Sequence, residues 1–272
     1  MNLVMNFVFE LEEKDVDYKG YEYGLKPEHF WIKSHINLKQ ELLSSINFTE
    51  ANFAGQKNQK SKILSKKTKI LSIGAGTGGD LAVLKKFGSI YAFDIDQNVI
   101  DMIPDDMVVE KQIADAQAIP YEDNKFDMVV AFEVLEHIQN DKKAVAEINR
   151  VLKPGGFLVF SVPAFNALFG PKDKAHFHMR RYNKKMIRNL LPDFKEHRIG
   201  YWMFTLFAPA AVQRVWEKAL VSEKKYHPYI PAKPINKLFY SILQGENYLI
   251  RKGFNFPWGL TLYGIYQKTN PK

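Results

Sequence analysis

Four glycines and one acid mark where chemistry could begin in this chain. Gly74, Gly76, Gly78 and Gly79 follow the apolar run Ile70, Leu71, Ile73, and Asp94 closes a second run, Ile90 to Phe93. Glycines there let a backbone turn sharply and approach a ligand that a Cβ would strike. Asp94, twenty residues past Gly74, is placed to accept hydrogen bonds from a ribose diol. Histidines are the second set of candidates. His137 follows a long apolar run, and His176 and His178 precede Arg180 and Arg181. An imidazole there could take a proton from an oxygen nucleophile near neutral pH, and the arginines would suit a carboxylate or phosphate. No carboxylate-and-histidine cluster shows ligand spacing, so no metal site is expected.

The glycine spacing by itself fits two adenine-bearing cofactors. Gly74-x-Gly76-x-x-Gly79 satisfies the dinucleotide pattern, whereas Gly74-x-Gly76-x-Gly78 satisfies the loop that holds S-adenosylmethionine. A choice between them needs the elements that position these residues.

Those elements alternate. The strand Ile70–Ile73 leads through the glycine turn into a helix with Leu81, Leu84 and Phe87 inward, then a second strand ends at Asp94. A short helix over 97–103 stops at Pro104, and a third strand is expected over 107–113. The unbroken apolar run Phe126 to Phe132 reads as a central parallel strand buried on both faces. Asn140 or Asp141 can cap a helix with Ala144, Ile148, Val151 and Leu152 inward, broken at Lys153-Pro154-Gly155-Gly156. Strands over 157–162, 196–201 and 260–267 and a helix over 184–191 complete an α/β pattern, which predicts a mostly parallel, doubly wound sheet with helices on both faces.

Three regions follow. Residues 1–68 read as an N-terminal arm, a helix and a polar linker; the helix, of about 20 residues from Pro27, carries Trp31, His35, Leu38, Leu42 and Ile46 at spacings of three and four. His29 and Trp31 are placed to close a lid. Residues 69–202 and 259–272 form the core. Residues 203–258 are an insertion that interleaves aromatics with bases, such as Arg214, Trp216 and Lys218, a mixture suited to a substrate-binding or peripheral membrane surface.

Composition excludes some functions. Among 272 residues there is no cysteine, so disulfides, thiolate metal sites and thiol nucleophiles are ruled out. Asn2 to Glu13 lacks a basic start and turns acidic, so no signal peptide is expected, and no apolar stretch reaches membrane-spanning length. A cytoplasmic protein, with peripheral membrane contact through 203–258, is the expectation. The net charge of +8 suits acidic partners, yet no nucleic-acid-binding appendage is recognisable, so nucleic acid is not an expected partner.

Taken in order, the motifs resemble the class I S-adenosylmethionine-dependent methyltransferases over roughly 69–268. The resemblance rests on Ser72-Ile73-Gly74-Ala75-Gly76-Thr77-Gly78, Ala92-Phe93-Asp94-Ile95-Asp96, Ala114-Asp115-Ala116, Glu133-Val134-Leu135-Glu136-His137-Ile138 after its strand, and Leu152-Lys153-Pro154-Gly155-Gly156. It implies a Rossmann-like seven-stranded sheet of order 3-2-1-4-5-7-6 with the last strand antiparallel. It also implies S-adenosylmethionine as cofactor: Gly74, Ala75, Gly76 and Gly78 along the methionine moiety, Asp94 on the ribose, Ile95 on adenine, Asp115 and the Ala116 amide at the adenine edge, and Glu133 facing the methionine end. Ser72 stands where many members carry an acid for the cofactor's ammonium group, whose place Ser72 or Asp80 would then take. His137 and His178 are the candidate catalytic residues. The expected activity is methylation, at oxygen, of a small-molecule, glycan or lipid-linked acceptor. A nicotinamide-dependent oxidoreductase and a non-catalytic S-adenosylmethionine-binding protein are the competing readings.

Overall fold

The computed structural model describes residues 27–46, 68–220 and 231–269. The N-terminal arm and most of the polar linker lie outside the described residues.

Seven strands form one sheet: β1 (Lys69–Ile73), β2 (Ser89–Asp94), β3 (Glu110–Ile113), β4 (Phe126–Phe132), β5 (Leu152–Pro163), β6 (Phe194–Trp202) and β7 (Thr261–Lys268). Their spatial order is 3-2-1-4-5-7-6, as expected. Strands β1 to β5 pair in parallel, while β7 runs antiparallel to both β5 and β6. The carboxyl ends of β1 to β6 therefore lie along one edge.

Alternation along the strands sends neighbours to opposite faces. Leu71, Val129, Leu158 and Phe160 join one core cluster, with Ala144, Ile148 and Ile187 packed against them. Ile70, Met128, Val130 and Val159 join the other, covered by Leu38, Leu42, Leu43, Leu243 and Ile250. All seven residues of β4 are buried, as a central strand requires. Asp127 fixes the opposite edge by accepting from the Lys69 amide at 2.8 Å and from Lys153 Nζ at 2.7 Å.

The helices are α1 (Phe30–Ser44), α2 (Leu81–Leu84), α3 (Gln97–Ile100), α4 (Asp141–Val151), α5 (Pro171–Ala175), α6 (Lys184–Leu190), α7 (Phe207–Leu220) and α8 (Lys233–Arg251). Helix α1 is shorter than the pattern suggests, because His29 acts as its N-cap, its ring accepting from the Trp31 amide. Strand β3 starts later than expected: Asp105–Met107 turn as a 3-10 segment after Pro104, and pairing with β2 begins at Glu110.

The insertion contributes α7 and α8, and α8 packs along α1. Asn236 Oδ1 accepts from the Phe30 amide (2.8 Å), Asn37 donates to Gln244 (2.9 Å), and Asn247 donates to the Ser34 carbonyl (2.9 Å). Glu246, buried on α8, accepts from the Phe204 and Thr205 amides and so fixes the chain entering α7. No described helix is long and apolar enough to cross a membrane.

Candidate active site

On the carboxyl edge of β1 and β2 the glycine turn and Asp94 meet directly. The Gly76 amide donates to Asp94 Oδ2 at 2.8 Å, the Asp96 amide to Oδ1 at 3.1 Å, and the Ala75 amide to the Phe93 carbonyl at 3.0 Å. Gly74 and Gly76 both have left-handed backbone, with φ of +60° and +51°. Their reasons for being glycine differ. A Cβ on Gly74 would stand 2.6 Å from Val134 Cγ2, whereas a Cβ on Gly76 would meet nothing within 4 Å. Gly74 is a packing glycine; Gly76 leaves an open cradle above the loop.

The remaining expected cofactor residues line the same edge. Ser72 is buried within β1, Ile95 is 73% exposed beyond β2, and Asp115 is exposed beyond β3, its carboxylate accepting from the Gln117 amide at 2.8 Å. Ala116 is buried beside it. Asp80 is already engaged: Lys39 of α1, 1% exposed, donates to both its oxygens at 2.8 and 2.7 Å. Thus Asp80 answers a lysine brought in by α1.

A different environment surrounds the ends of β4, β5 and β6. Glu133, Phe165 and Met203, just beyond these strands, have φ of +54°, +60° and +62°. Left-handed backbone at residues with side chains costs about 1–3 kcal/mol each and clusters where a fold holds a site in place. Here the turns send the chain past a cavity of about 240 Å³ lined by Glu133, Asp173, His176, His178, Arg181 and Arg214, with His29, Trp31 and Thr261 among its walls.

Helix α1 helps close this cavity. His35 stacks on Trp202 at 5.2 Å, shares a 3.2 Å hydrogen bond with Ser161 Oγ, and brings Nε2 to 3.9 Å from Glu133 Oε1. Burial, then the charge of Lys39, hold the His35 pKa well below the usual imidazole range. Burial raises Glu133, against a hydrogen bond from Ser161. Burial and the neighbouring Glu133 charge push Glu136 well above the carboxylate range.

Asp173 organises the other wall. His178 Nδ1 donates to its Oδ1 at 3.1 Å, as does Arg181 Nε at 2.8 Å; Oδ2 accepts from Arg214 Nη1 at 3.1 Å and the Gly170 amide at 2.9 Å. Burial works against its ionisation, yet the hydrogen bonds from His178 and Arg181 prevail and hold it well below its ordinary pKa. His137 stands edge to face with His178, ring centroids 4.6 Å apart. His137 keeps part of its ring open to solvent, yet desolvation of the rest, then the His178 charge, lower it to about 4, so it is neutral at pH 7.

The structure thus brings together His137 and His178, forty-one residues apart in sequence. It corrects the expected role of the two arginines. Arg181 is spent on Asp173 and the Ala164 carbonyl, and Arg180 pairs with Asp141 at 2.7 Å. Neither is offered as a pair to an anionic ligand. Asp173 and Lys39 escaped sequence reasoning, and His35 and Arg214 were named only as part of a helix stripe and of a basic surface, since nothing in the sequence marks which side chain will meet which. A carboxylate with two imidazoles, Glu136, His137 and His178, also converges despite the absence of ligand spacing in the sequence.

Comparison with known proteins agrees with this geometry. Residues 71–160 match the family described as a methyltransferase domain. Over 122 residues the chain is 30% identical to the ubiquinone/menaquinone biosynthesis C-methyltransferase of Neisseria meningitidis, covering 42% of this chain and 49% of that protein. Over 139 residues it is 33% identical to an uncharacterised protein of Methanocaldococcus jannaschii, covering 50% and 56%. The chain therefore spans about half the length of these curated relatives. A solved S-adenosylmethionine-dependent methyltransferase from Thermotoga maritima superposes with a TM-score of 0.52 at 15% identity, covering 89% of this chain and 93% of that one, a likeness of fold. Residues 71–160 thus carry a methyltransferase domain, the fold is that of solved S-adenosylmethionine-dependent methyltransferases, and S-adenosylmethionine is the cofactor this domain implies. The dinucleotide reading of the glycine turn is set aside.

Proposed function

We propose that the chain methylates an oxygen of a small-molecule, glycan or lipid-linked acceptor that enters the cavity beside Glu133. One juxtaposition carries this reading: the Gly76–Asp94 cradle lies on one side of β4's carboxyl end, and the cavity lined by Glu133, Asp173 and His178 on the other. The open space over Gly76 is what a cofactor laid along the loop requires. The cofactor supplies a methyl group on a sulfonium, ready for in-line displacement, so the protein's task is alignment.

Each residue then has a part. Asp94 holds the ribose hydroxyls. Gly74, Ala75, Gly76 and Gly78 lie along the methionine moiety with Ser72 beneath them, Ile95 covers adenine, and Asp115 with the Ala116 amide meets its edge. Glu133 faces the methionine end from its strained turn. Asp173 fixes the tautomer of His178 by taking Nδ1–H, which turns Nε2 to the acceptor's hydroxyl, with His137 alongside. Trp31 and His29, brought by α1, exclude water from above. A cavity of about 240 Å³ admits a small group or the end of a longer molecule. Val212, Val215 and Trp216, all more than half exposed on α7, support a lipidic acceptor and peripheral membrane contact.

Calorimetric titration with S-adenosylhomocysteine tests the foundation. We expect binding that weakens about 10–100-fold in Asp94→Ala, the worth of hydrogen bonds to a charged group. Equal binding by the variant, or binding of a nicotinamide dinucleotide instead, overturns the reading. Labelled-methyl transfer into small-molecule, glycan and vesicle-borne lipid fractions then identifies the acceptor. A carbon-linked product, the chemistry in the Neisseria relative's name, would replace the oxygen assignment.

A further inference from the structure

Glu136 is fully buried, and neither of its carboxylate oxygens has a hydrogen-bond partner among the described residues. A carboxylate removed from water without a donor is costly, and folds seldom keep one that serves nothing. Around it, Glu136, His137 and His178 each present one ligand-capable atom within 4.8 Å of the others. We propose that these three residues hold a divalent transition-metal ion at the carboxyl end of β4, against the wall of the acceptor cavity.

The donor set selects the ion. Two imidazole nitrogens and one carboxylate suit Zn²⁺, Co²⁺, Mn²⁺ or Fe²⁺, whereas Ca²⁺ and Mg²⁺ prefer oxygen alone. Ligand atoms about 2.0–2.2 Å from a tetrahedral ion stand roughly 3.4 Å from one another, so side-chain movements of about 1 Å close the site.

The surroundings have the form of an outer ligand shell. Asp173 Oδ1 accepts from His178 Nδ1, the carboxylate–histidine pairing that orients a metal-binding ring and leaves Nε2 as its coordinating nitrogen. Asp173 is itself fixed by Arg181, Arg214 and the Gly170 amide. The Met179 amide donates to the Glu136 carbonyl at 2.8 Å, pinning the His178 segment against Glu136. His137 is exposed and gives the ion an entry path. Three protein ligands leave a coordination position open, as catalytic sites do.

That open position suggests a role, which rests on the methyl-transfer reading although ion binding does not. An acceptor hydroxyl coordinated there would lose its proton to water more readily. Its oxygen would then bond to the methyl carbon as the carbon–sulfur bond breaks, releasing S-adenosylhomocysteine. His137 and His178 would serve as ligands, not as bases.

The test uses full-length protein without a histidine tag, stripped by a chelator and titrated with Zn²⁺ by calorimetry and with Co²⁺ by visible absorption. We expect one ion per chain, a Co²⁺ ligand-field band, and binding at least tenfold weaker in Glu136→Gln and His137→Ala but unchanged in His197→Ala. Glu136→Gln keeps the size and shape of a buried carboxyl that has no hydrogen-bond partner among the described residues, so the metal-free variant should melt close to the parent, and its loss of binding cannot then be laid to misfolding. Absent, multiple or purely weak binding, or one-to-one binding unaltered in both variants, overturns the proposal. S-adenosylhomocysteine is titrated into the same metal-free protein. Its binding without any metal site would leave the methyltransferase reading standing alone; metal binding without it would do the reverse.

Discussion

The two halves of the carboxyl edge are built in contrasting ways. Where β1 to β3 end, the site is nearly all backbone and short-range: a glycine turn, one carboxylate on its amides, and exposed side chains at Ile95 and Asp115. Where β4 to β6 end, it is built from side chains, with Asp173 gathering His178 and Arg181 from the loop after α5 and Arg214 from α7, and α1 placing His35 against Ser161 and Glu133. The geometry of the first half is carried by one strand–turn–helix–strand unit, in which Gly76 and Asp94 stand 18 residues apart. The second half depends on tertiary packing, because its groups are held by side chains that separate elements bring together.

The largest expected effect probes the side-chain half. Asp173→Ala would leave Arg181 buried and uncompensated, at a cost of about 3–5 kcal/mol and a fall in melting temperature on the order of 10 °C. The corresponding truncation at Asp94 should cost no more than about 1–2 kcal/mol, since its partners are amides that water can reach. Denaturant unfolding of both variants compares them; equal losses would show that the halves are not built differently.

Within the backbone half, Gly74→Ala and Gly76→Ala separate packing from ligand approach. Each places an alanine in left-handed backbone, about 1–2 kcal/mol, and Gly74→Ala adds the Val134 clash, a further 1–3 kcal/mol. Gly76→Ala should therefore be the more stable variant, yet still lose S-adenosylhomocysteine binding, because its methyl group occupies the cradle. Full cofactor binding by Gly76→Ala would refute the placement over that glycine.

The smallest effect concerns α1. Unfolded histidine takes up its proton near pH 6.5, while folded His35 does so only well below that. Below about pH 6.5 the unfolded state thus binds more protons, and the stability His35 permits is lost, by at most about 1.4 kcal/mol per pH unit. Glu133 and Glu136, raised by burial, act in the opposite sense, favouring the fold at acid pH and losing that contribution as pH rises. His35→Phe, which keeps a ring between Trp31 and Trp202, isolates the histidine. From pH 7.5 to 5.5, the parent's unfolding free energy relative to the variant should fall by about 1 kcal/mol. A constant difference would mean that His35 is not held neutral.

Much of the fold was legible in the chain. Period-two and unbroken apolar runs gave the strands, the breaks at Pro104 and Gly155-Gly156 gave their spacing, and the family resemblance carried by the motifs implied the sheet order. The errors fell at boundaries where a side chain took a backbone partner, as His29 did on Trp31, or where an edge strand had few neighbours to extend it, as in β3. Of the site residues, those on one contiguous turn could be named with a role. Arg180 and Arg181 were identified as charges, but their partners Asp141 and Asp173 were invisible.

Sequence alone determined the glycine turn, Asp94 at its distance and the buried central strand, because local backbone conformation and burial periodicity depend on residues close along the chain. Only the tertiary structure decided that Lys39 would occupy Asp80, that Asp173 would hold His178 and two arginines, and that Glu136 would stand buried beside two imidazoles. Electrostatic partners act through space, and this fold joins Lys39 to Asp80 and Asp173 to Arg214, each pair 41 positions apart along the chain.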